Sequence, residues 1–209
     1  MQLDSAQCEG LKGCLSPDEL ERAARFHFPQ DRGRFIARRG ILRQILSSYV
    51  GIPPAELKFQ YAECGKPHLA EKQINPPSAI RHPQFSVSHS NGLALFAVSA
   101  RPVGVDLEHI RSDFSFMDIA RRFFHEEEIR YLDSLTVGDQ PRAFFSLWTR
   151  KEAYLKALGL GLNASLSTRI MPDDAEIIGQ EGEKWTLTDL EIGPDYSAAL
   201  VSMGDRQPI

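Results

Sequence analysis

Apolar positions recur at two different periods along this chain, and the switches between them lay out its elements. Ser16-Pro17-Asp18-Glu19 has the residues of a helix start, with Ser as N-cap, Pro in the first turn and Glu in the capping-box position, and predicts a helix to about Phe26. After Asp31, Phe35, Ile36, Leu42, Ile45, Leu46 and Tyr49 fall at helical spacing, and Gly51-Ile52-Pro53-Pro54 stops them. Leu57 to Tyr61 alternates as a short strand, and residues 62–83, with four prolines and Gly65, read as a loop. Two β-rich runs, Phe85–Ser90 and Leu93–Ser99, flank Asn91-Gly92 and predict a hairpin. Val103 to Glu108 follows Arg101-Pro102 as a further strand. Helical patterns fill 115–134 and 141–158. Glu126-Glu127-Glu128 reads as a helix start whose acids complement the dipole, and Gly159-Leu160-Gly161 as a C-terminal cap. Strands return at 184–191 and 196–202.

A faint internal echo overlies this order. Arg25-Phe26 followed by Phe35–Leu42 resembles Arg122-Phe123 followed by Leu147–Tyr154. The fold class expected is therefore α+β, in two similar halves at 1–100 and 103–209 joined at Arg101-Pro102.

Composition narrows the function. The 209 residues, 42% of them hydrophobic, suit one compact domain or two small, closely packed ones. A net charge of −4 argues against a general polyanion binder. Charge is unevenly placed, however: residues 21–43 carry seven arginines against Glu21 and Asp31, whereas 173–195 carry eight acids against Lys184. Cys8, Cys14 and Cys64 have no metal-site spacing and an odd count, which suits a reducing compartment. With no apolar leader and no run long enough to span a bilayer, a cytoplasmic protein is expected. Phosphate-binding glycine motifs and zinc spacings are absent.

The sharpest candidate for chemistry is Gly104-Val105-Asp106-Leu107-Glu108. On a strand, Asp106 and Glu108 share one face while Val105 and Leu107 share the other. Two carboxylates on one face either lie in solvent at a sheet edge or hold a hard cation such as Mg²⁺ between them. On the last predicted helix, Trp148, Glu152 and Lys156 follow one another at i, i+4, i+8 along one side. Alone, Glu152 and Lys156 make an ordinary ion pair; beside Asp106 and Glu108 they offer a third carboxylate and a cation for a phosphate. Ser88-His89-Ser90 ends a hairpin strand, where the histidine is either structural or a phosphate donor. Gly65-Lys66-Pro67 places one cation in a restricted loop, and Arg22 and Arg25 lie three apart on the first helix.

In order along the chain, Gly65-Lys-Pro67, Phe85–Ser90, Gly104–Glu108, Arg122-Phe-Phe124 and Trp148-Thr-Arg-Lys-Glu-Ala-Tyr-Leu-Lys156 together resemble the 4′-phosphopantetheinyl transferases, and among them the longer, Sfp-type branch. The resemblance covers about residues 16–203. It implies a pseudo-twofold monomer of two α+β halves with coenzyme A in the cleft between them. It also implies a reaction, in which a serine of an apo acyl or peptidyl carrier protein attacks the pantetheine-side phosphate of coenzyme A and releases adenosine 3′,5′-bisphosphate. By that resemblance Asp106, Glu108 and Glu152 hold Mg²⁺ (or Mn²⁺), Glu152 is the base, and Lys156 stabilises the departing phosphate. Gly65, Lys66 and Pro67 line the adenine pocket, while Arg22, Ser88 and His89 hold the 3′-phosphate. Glu128 assists the serine or the metal. Some members carry a second basic residue three positions before Arg22; here that position is Glu19. The stretch 111–125, with Phe114, Phe116, Met117, Arg121, Arg122 and Phe124, is the expected carrier-docking surface. No nucleic acid and no membrane are expected as partners.

Two rival readings share these residues. A Mg²⁺-dependent phosphodiesterase or nuclease also uses a D-x-E pair with a glutamate and a lysine, but requires a basic groove that a −4 chain supplies poorly. A catalytically silent coenzyme A-binding module would not require Asp106, Glu108, Glu152 and Lys156 together.

Overall fold

The computed structural model describes residues 5–70, 82–160 and 168–204. Over these the chain is a mixed α+β protein, and it divides into two compact units, Met1–Tyr61 with Pro67–Pro83 and Ala62–Lys66 with Gln84–Ile209. The hairpin segment at 84–99, on the N-terminal side of the division expected from sequence, clusters with the second unit. Residues 71–81 of the expected loop, the Cys8 side chain and Gly161 lie outside what is described.

The first unit holds α1 (Ser5–Lys12), α2 (Pro17–Ala24), α3 (Pro29–Val50), a 3₁₀ turn at Pro54–Glu56, and the antiparallel pair β1 (Phe59–Tyr61) and β2 (Pro67–Leu69). α2 starts where its sequence predicts: the Glu19 carboxylate accepts the Ser16 backbone N–H at 3.1 Å, closing the capping box. α1 was not expected from sequence. It lies against α3 at Gly40, where a Cβ would come within 2.7 Å of the Leu11 carbonyl oxygen, so only glycine permits that approach. α3 begins at Pro29, two residues ahead of Asp31, because proline suits a first helical turn, and ends at Gly51 in the left-handed region.

The second unit contains the hairpin of β3 (Gln84–Ser90) and β4 (Leu93–Ser99), turned by Asn91 and Gly92, both at positive φ. It also contains a four-stranded antiparallel sheet of β5 (Val103–His109), β6 (Glu176–Ile178), β7 (Lys184–Asp189) and β8 (Tyr196–Met203), in the order β5-β8-β7-β6. Its helices are α4 (Phe116–Phe123), α5 (Glu126–Ser134) and α6 (Gln140–Leu158). The long helical pattern at 115–134 breaks at Phe124-His125. There His125 Nδ1 accepts the Glu127 N–H, and Glu128 returns to accept the His125 N–H at 2.7 Å. α6 packs on β5 and β8, burying Ala153, Tyr154, Trp185, Leu187, Ala199 and Val201. A Cβ on Gly104 would fall 2.0 Å from the Ala153 carbonyl oxygen, so β5 meets α6 backbone to backbone. On the other side of α6, Phe124, Phe144 and Trp148 stack near-parallel.

Candidate active site

β5 and α6 bring the D-x-E strand and the lysine-bearing helix face together. Val105, Leu107 and Asp106 are buried and Glu108 is half-buried, so the acidic face of β5 is no solvated edge. Val87, Ser88, His89, Asp106, Glu108, Trp148, Glu152 and Lys156 line a cavity of about 280 Å³. Trp148, Glu152 and Lys156 reach it together because four-residue steps keep them on one helix face.

Charge within this cavity is unevenly compensated. The Lys156 ammonium donates to Asp106 Oδ1 at 2.6 Å and to Ser88 Oγ at 3.0 Å. Asp106 Oδ2 and Glu152 Oε1 are buried, and neither has a hydrogen-bond partner among the described residues. Burial, with the charge of Asp106 next, pushes the Glu152 carboxyl up to about 7 against the pull of Lys156. Burial and Asp106 also raise Glu108, opposed by the hydrogen bond from Ser90. Three carboxyl groups thus share one small space with a single lysine.

Among the described residues, no three His, Cys, Asp or Glu side chains already stand in metal-coordinating geometry. The donor set nonetheless fits a hard divalent cation. Buried carboxylate oxygens without donors are costly in isolation, and an oxygen-loving cation is the group that would satisfy them.

The remaining sequence-derived candidates divide. Gly65 sits at φ +80° in the 62–66 turn, a conformation that suits glycine. The neighbouring Lys66 ammonium donates to the carbonyls of Lys156, Val103 and Ala157. It therefore caps the C-terminus of α6, the end that attracts a cation, and burial lowers its pKa. Pro67 opens β2. Ser88 Oγ donates to Asp106 Oδ1 at 2.8 Å and accepts the Leu107 N–H at 3.2 Å. His89 lines the cavity wall. Arg22 is exposed on α2 in the first unit, its guanidinium over the Phe35 ring.

Glu128 stands apart from the cavity. It is fully buried, pairs with Lys151 at 2.8 Å and accepts the Ile170 N–H at 2.7 Å beside its capping bond to His125. These contacts tie α5 to α6 and to the segment that follows. Glu19 is similarly committed: it is buried between Arg39 and Arg43, with Arg43 Nε at 2.6 Å. Burial would raise its pKa, but the two guanidinium groups outweigh burial and lower it. This cluster lines a larger cavity of about 650 Å³ in the first unit, where every charged wall group of the cluster is already paired.

Sequence reasoning missed the bonds of Ser86, Ser88 and Ser90, the cap provided by Lys66, and the Glu128–Lys151 pair. An alternating Ser-x-Ser-x-Ser was present as a signal, but nothing in it names the strand on the other side.

Residues 102–205 match the profile of the 4′-phosphopantetheinyl transferase superfamily, and residues 4–101 match that of the 4′-phosphopantetheinyl transferase N-terminal region. The chain is 41% identical over 193 residues to the 4′-phosphopantetheinyl transferase HetI of Nostoc sp., covering 91% of this chain and 78% of that protein. It is 27% identical over 204 residues to the 4′-phosphopantetheinyl transferase Sfp of Bacillus subtilis, covering 95% and 86%. Against the 4′-phosphopantetheinyl transferase psf-1 of Bacillus pumilus, identity is 34% over 162 residues, covering 78% and 65%.

Proposed function

Because the chain belongs to the 4′-phosphopantetheinyl transferase superfamily, we propose that it transfers the 4′-phosphopantetheine group of coenzyme A to a serine of an apo acyl or peptidyl carrier protein. The observation that carries this reading is the pair of buried, donorless oxygens, Asp106 Oδ2 and Glu152 Oε1, beside the Lys156 ammonium. Transfer of a phosphoryl-linked group needs charge neutralisation and in-line positioning more than covalent help.

In the proposed reaction the carrier serine oxygen forms a bond to the pantetheine-side phosphorus, and the bond from that phosphorus to the bridging oxygen breaks. Adenosine 3′,5′-bisphosphate leaves with the electron pair. Glu152, poised near neutrality, takes the serine proton at a carboxylate oxygen. Lys156 stabilises the charge that grows on the departing phosphate. Asp106, Glu108 and Glu152 would hold Mg²⁺ (or Mn²⁺), which when bound neutralises the pyrophosphate. Trp148 walls the cavity beside Glu152. By the family resemblance, Gly65 and His89 in the second unit, and Arg22 and Pro67 in the first, are each read as residues that bind coenzyme A. Glu128 is left out of the chemistry because its carboxylate is engaged elsewhere.

A monomer acting in the cytoplasm on acidic carrier proteins is part of the same proposal, as is descent of the two halves from one repeated α+β unit. No helix among the described residues is long and apolar enough to cross a membrane. The deciding experiment measures the intact mass of an apo acyl carrier and an apo peptidyl carrier after incubation with the protein, coenzyme A and Mg²⁺. Gain of one phosphopantetheinyl group, lost with EDTA and with Glu152→Ala, is expected. No gain on either carrier, with coenzyme A demonstrably bound, would replace this reading with that of a binding module.

A further inference from the structure

β3 lies beside β5 without joining its sheet: the hairpin and the four-stranded sheet share no backbone ladder. The bridging bonds come from serine hydroxyls instead. Ser86, Ser88 and Ser90 accept the backbone N–H groups of Val105, Leu107 and His109 at 3.1, 3.2 and 3.0 Å. The period is that of the strand, so all three hydroxyls face β5. Each N–H they take belongs to the residue after an inward-facing position of β5, namely Gly104, Asp106 and Glu108. Where that position carries a carboxylate, the serine gives its own proton to it. Ser88 donates to Asp106 Oδ1 at 2.8 Å and Ser90 to Glu108 Oε2 at 3.0 Å.

A hydroxyl has one proton and two acceptor sites. Ser88 uses all three: its proton goes to Asp106, and its oxygen accepts from Leu107 N and from the Lys156 ammonium. A phosphate dianion can only accept. Ser88 therefore has no proton left for the 3′-phosphate of coenzyme A, the role that the family resemblance gives it. Its bonds hold Asp106 Oδ1 toward Lys156, and the other oxygen, Oδ2, is the donorless one.

We propose that Ser88 and Ser90 are positioning residues for the cation-binding carboxylates, each anchoring one oxygen of Asp106 or Glu108 and so setting the side-chain orientation that the cation meets. This rests on the reading of Asp106, Glu108 and Glu152 as the ligands of a divalent cation. Partners that orient a ligating carboxylate are ordinarily worth about 10- to 100-fold in metal affinity.

Two measurements test it on the full-length protein. In the first, Mn²⁺ is titrated into wild type, Ser88→Ala, Ser90→Ala and Ser90→Thr, with and without coenzyme A and without carrier, and free Mn²⁺ is read by electron paramagnetic resonance. Both alanine variants are expected to bind about 10-fold more weakly or worse, and Ser90→Thr, which keeps the hydroxyl, to return to within about 3-fold of wild type. In the second, transfer is followed with coenzyme A and with 3′-dephospho-coenzyme A. The loss in Ser88→Ala is expected to be the same factor with both. A loss confined to the 3′-phosphorylated substrate would return Ser88 to the phosphate grip and overturn the proposal for it. Unchanged Mn²⁺ affinity in both alanine variants, or a wild type that binds no Mn²⁺, would overturn it entirely. A wild type that binds Mn²⁺ with the expected serine dependence but modifies no carrier would refute the transferase reading and leave the serine assignment standing.

Discussion

The raised carboxyl of Glu152 makes the second unit's stability depend on pH in a direction opposite to that of a paired carboxylate. Its folded value is about 7 against an ordinary 4.5, chiefly through burial and then through Asp106. Between those two values the folded chain keeps a proton that the unfolded chain has released. Stability therefore falls as pH rises through this interval and levels off above the folded value. An interval of about 2.5 pH units at about 1.4 kcal/mol each gives roughly 3–4 kcal/mol. Because the carboxyl lines an open cavity, solvent screening reduces this to about 2 kcal/mol. Glu152→Gln has no proton to lose and should abolish that part of the fall. Both tryptophans, Trp148 and Trp185, lie in the second unit, so their fluorescence during urea unfolding reports on the relevant half of the chain. In EDTA, wild type should lose about 2 kcal/mol more than Glu152→Gln between pH 5 and pH 8. Mg²⁺ added at pH 8 should recover stability in wild type and much less in the variant. Equal pH dependence in the two proteins would mean that Glu152 carries no such proton, and the electrostatic account of the site would fail.

Three further outcomes are expected. Glu128→Gln should cost about 3 kcal/mol by leaving the Lys151 ammonium buried without its counter-charge, and adding Lys151→Met should recover part of that in urea unfolding; a stable but inactive Glu128→Gln would restore the catalytic role. Lys66→Met removes the cation from the end of α6 and should lower unfolding stability by about 1–2 kcal/mol, with kcat falling more than the KM for coenzyme A rises. If only that KM moved, Lys66 would act on the adenine directly. Arg121 and Arg122 are exposed at the end of α4, whereas Phe116 and Met117 are partly packed against the aromatic cluster. Replacing both arginines by glutamate should therefore raise the KM for an acidic carrier about 10-fold and leave that for coenzyme A unchanged.

Much of the site was readable because its residues obey local periods. Asp106 and Glu108 had to share a strand face, and Trp148, Glu152 and Lys156 a helix face, whatever surrounded them. The Asn91-Gly92 hairpin and the Ser16 helix start were equally local, and both stand where the sequence placed them. What stayed hidden depends on partners far along the chain. Lys66 is held by carbonyls 37 and 90 residues away, and Glu128 by Lys151 and the Ile170 N–H. No spacing announces such bonds, and so a lysine and a glutamate read as site residues from their motifs proved to be engaged in holding α6 and its neighbours. β2 and β6, at three residues each, are too short to show an alternation, and α1 carries too few apolar positions to mark a face.

Gly104 bears on how freely this sequence can change. A Cβ there would meet the Ala153 carbonyl oxygen and the Ala157 amide nitrogen, the backbone atoms next in line after Glu152 and Lys156. The closest approach between the acidic strand and the catalytic helix is thus one of main chain against main chain. At that point the apolar side chains of the second unit's interior take no part in the contact. The same independence removes any remedy: once a methyl group stands at 104, no replacement elsewhere in the interior makes room, since the atoms it strikes belong to every residue alike.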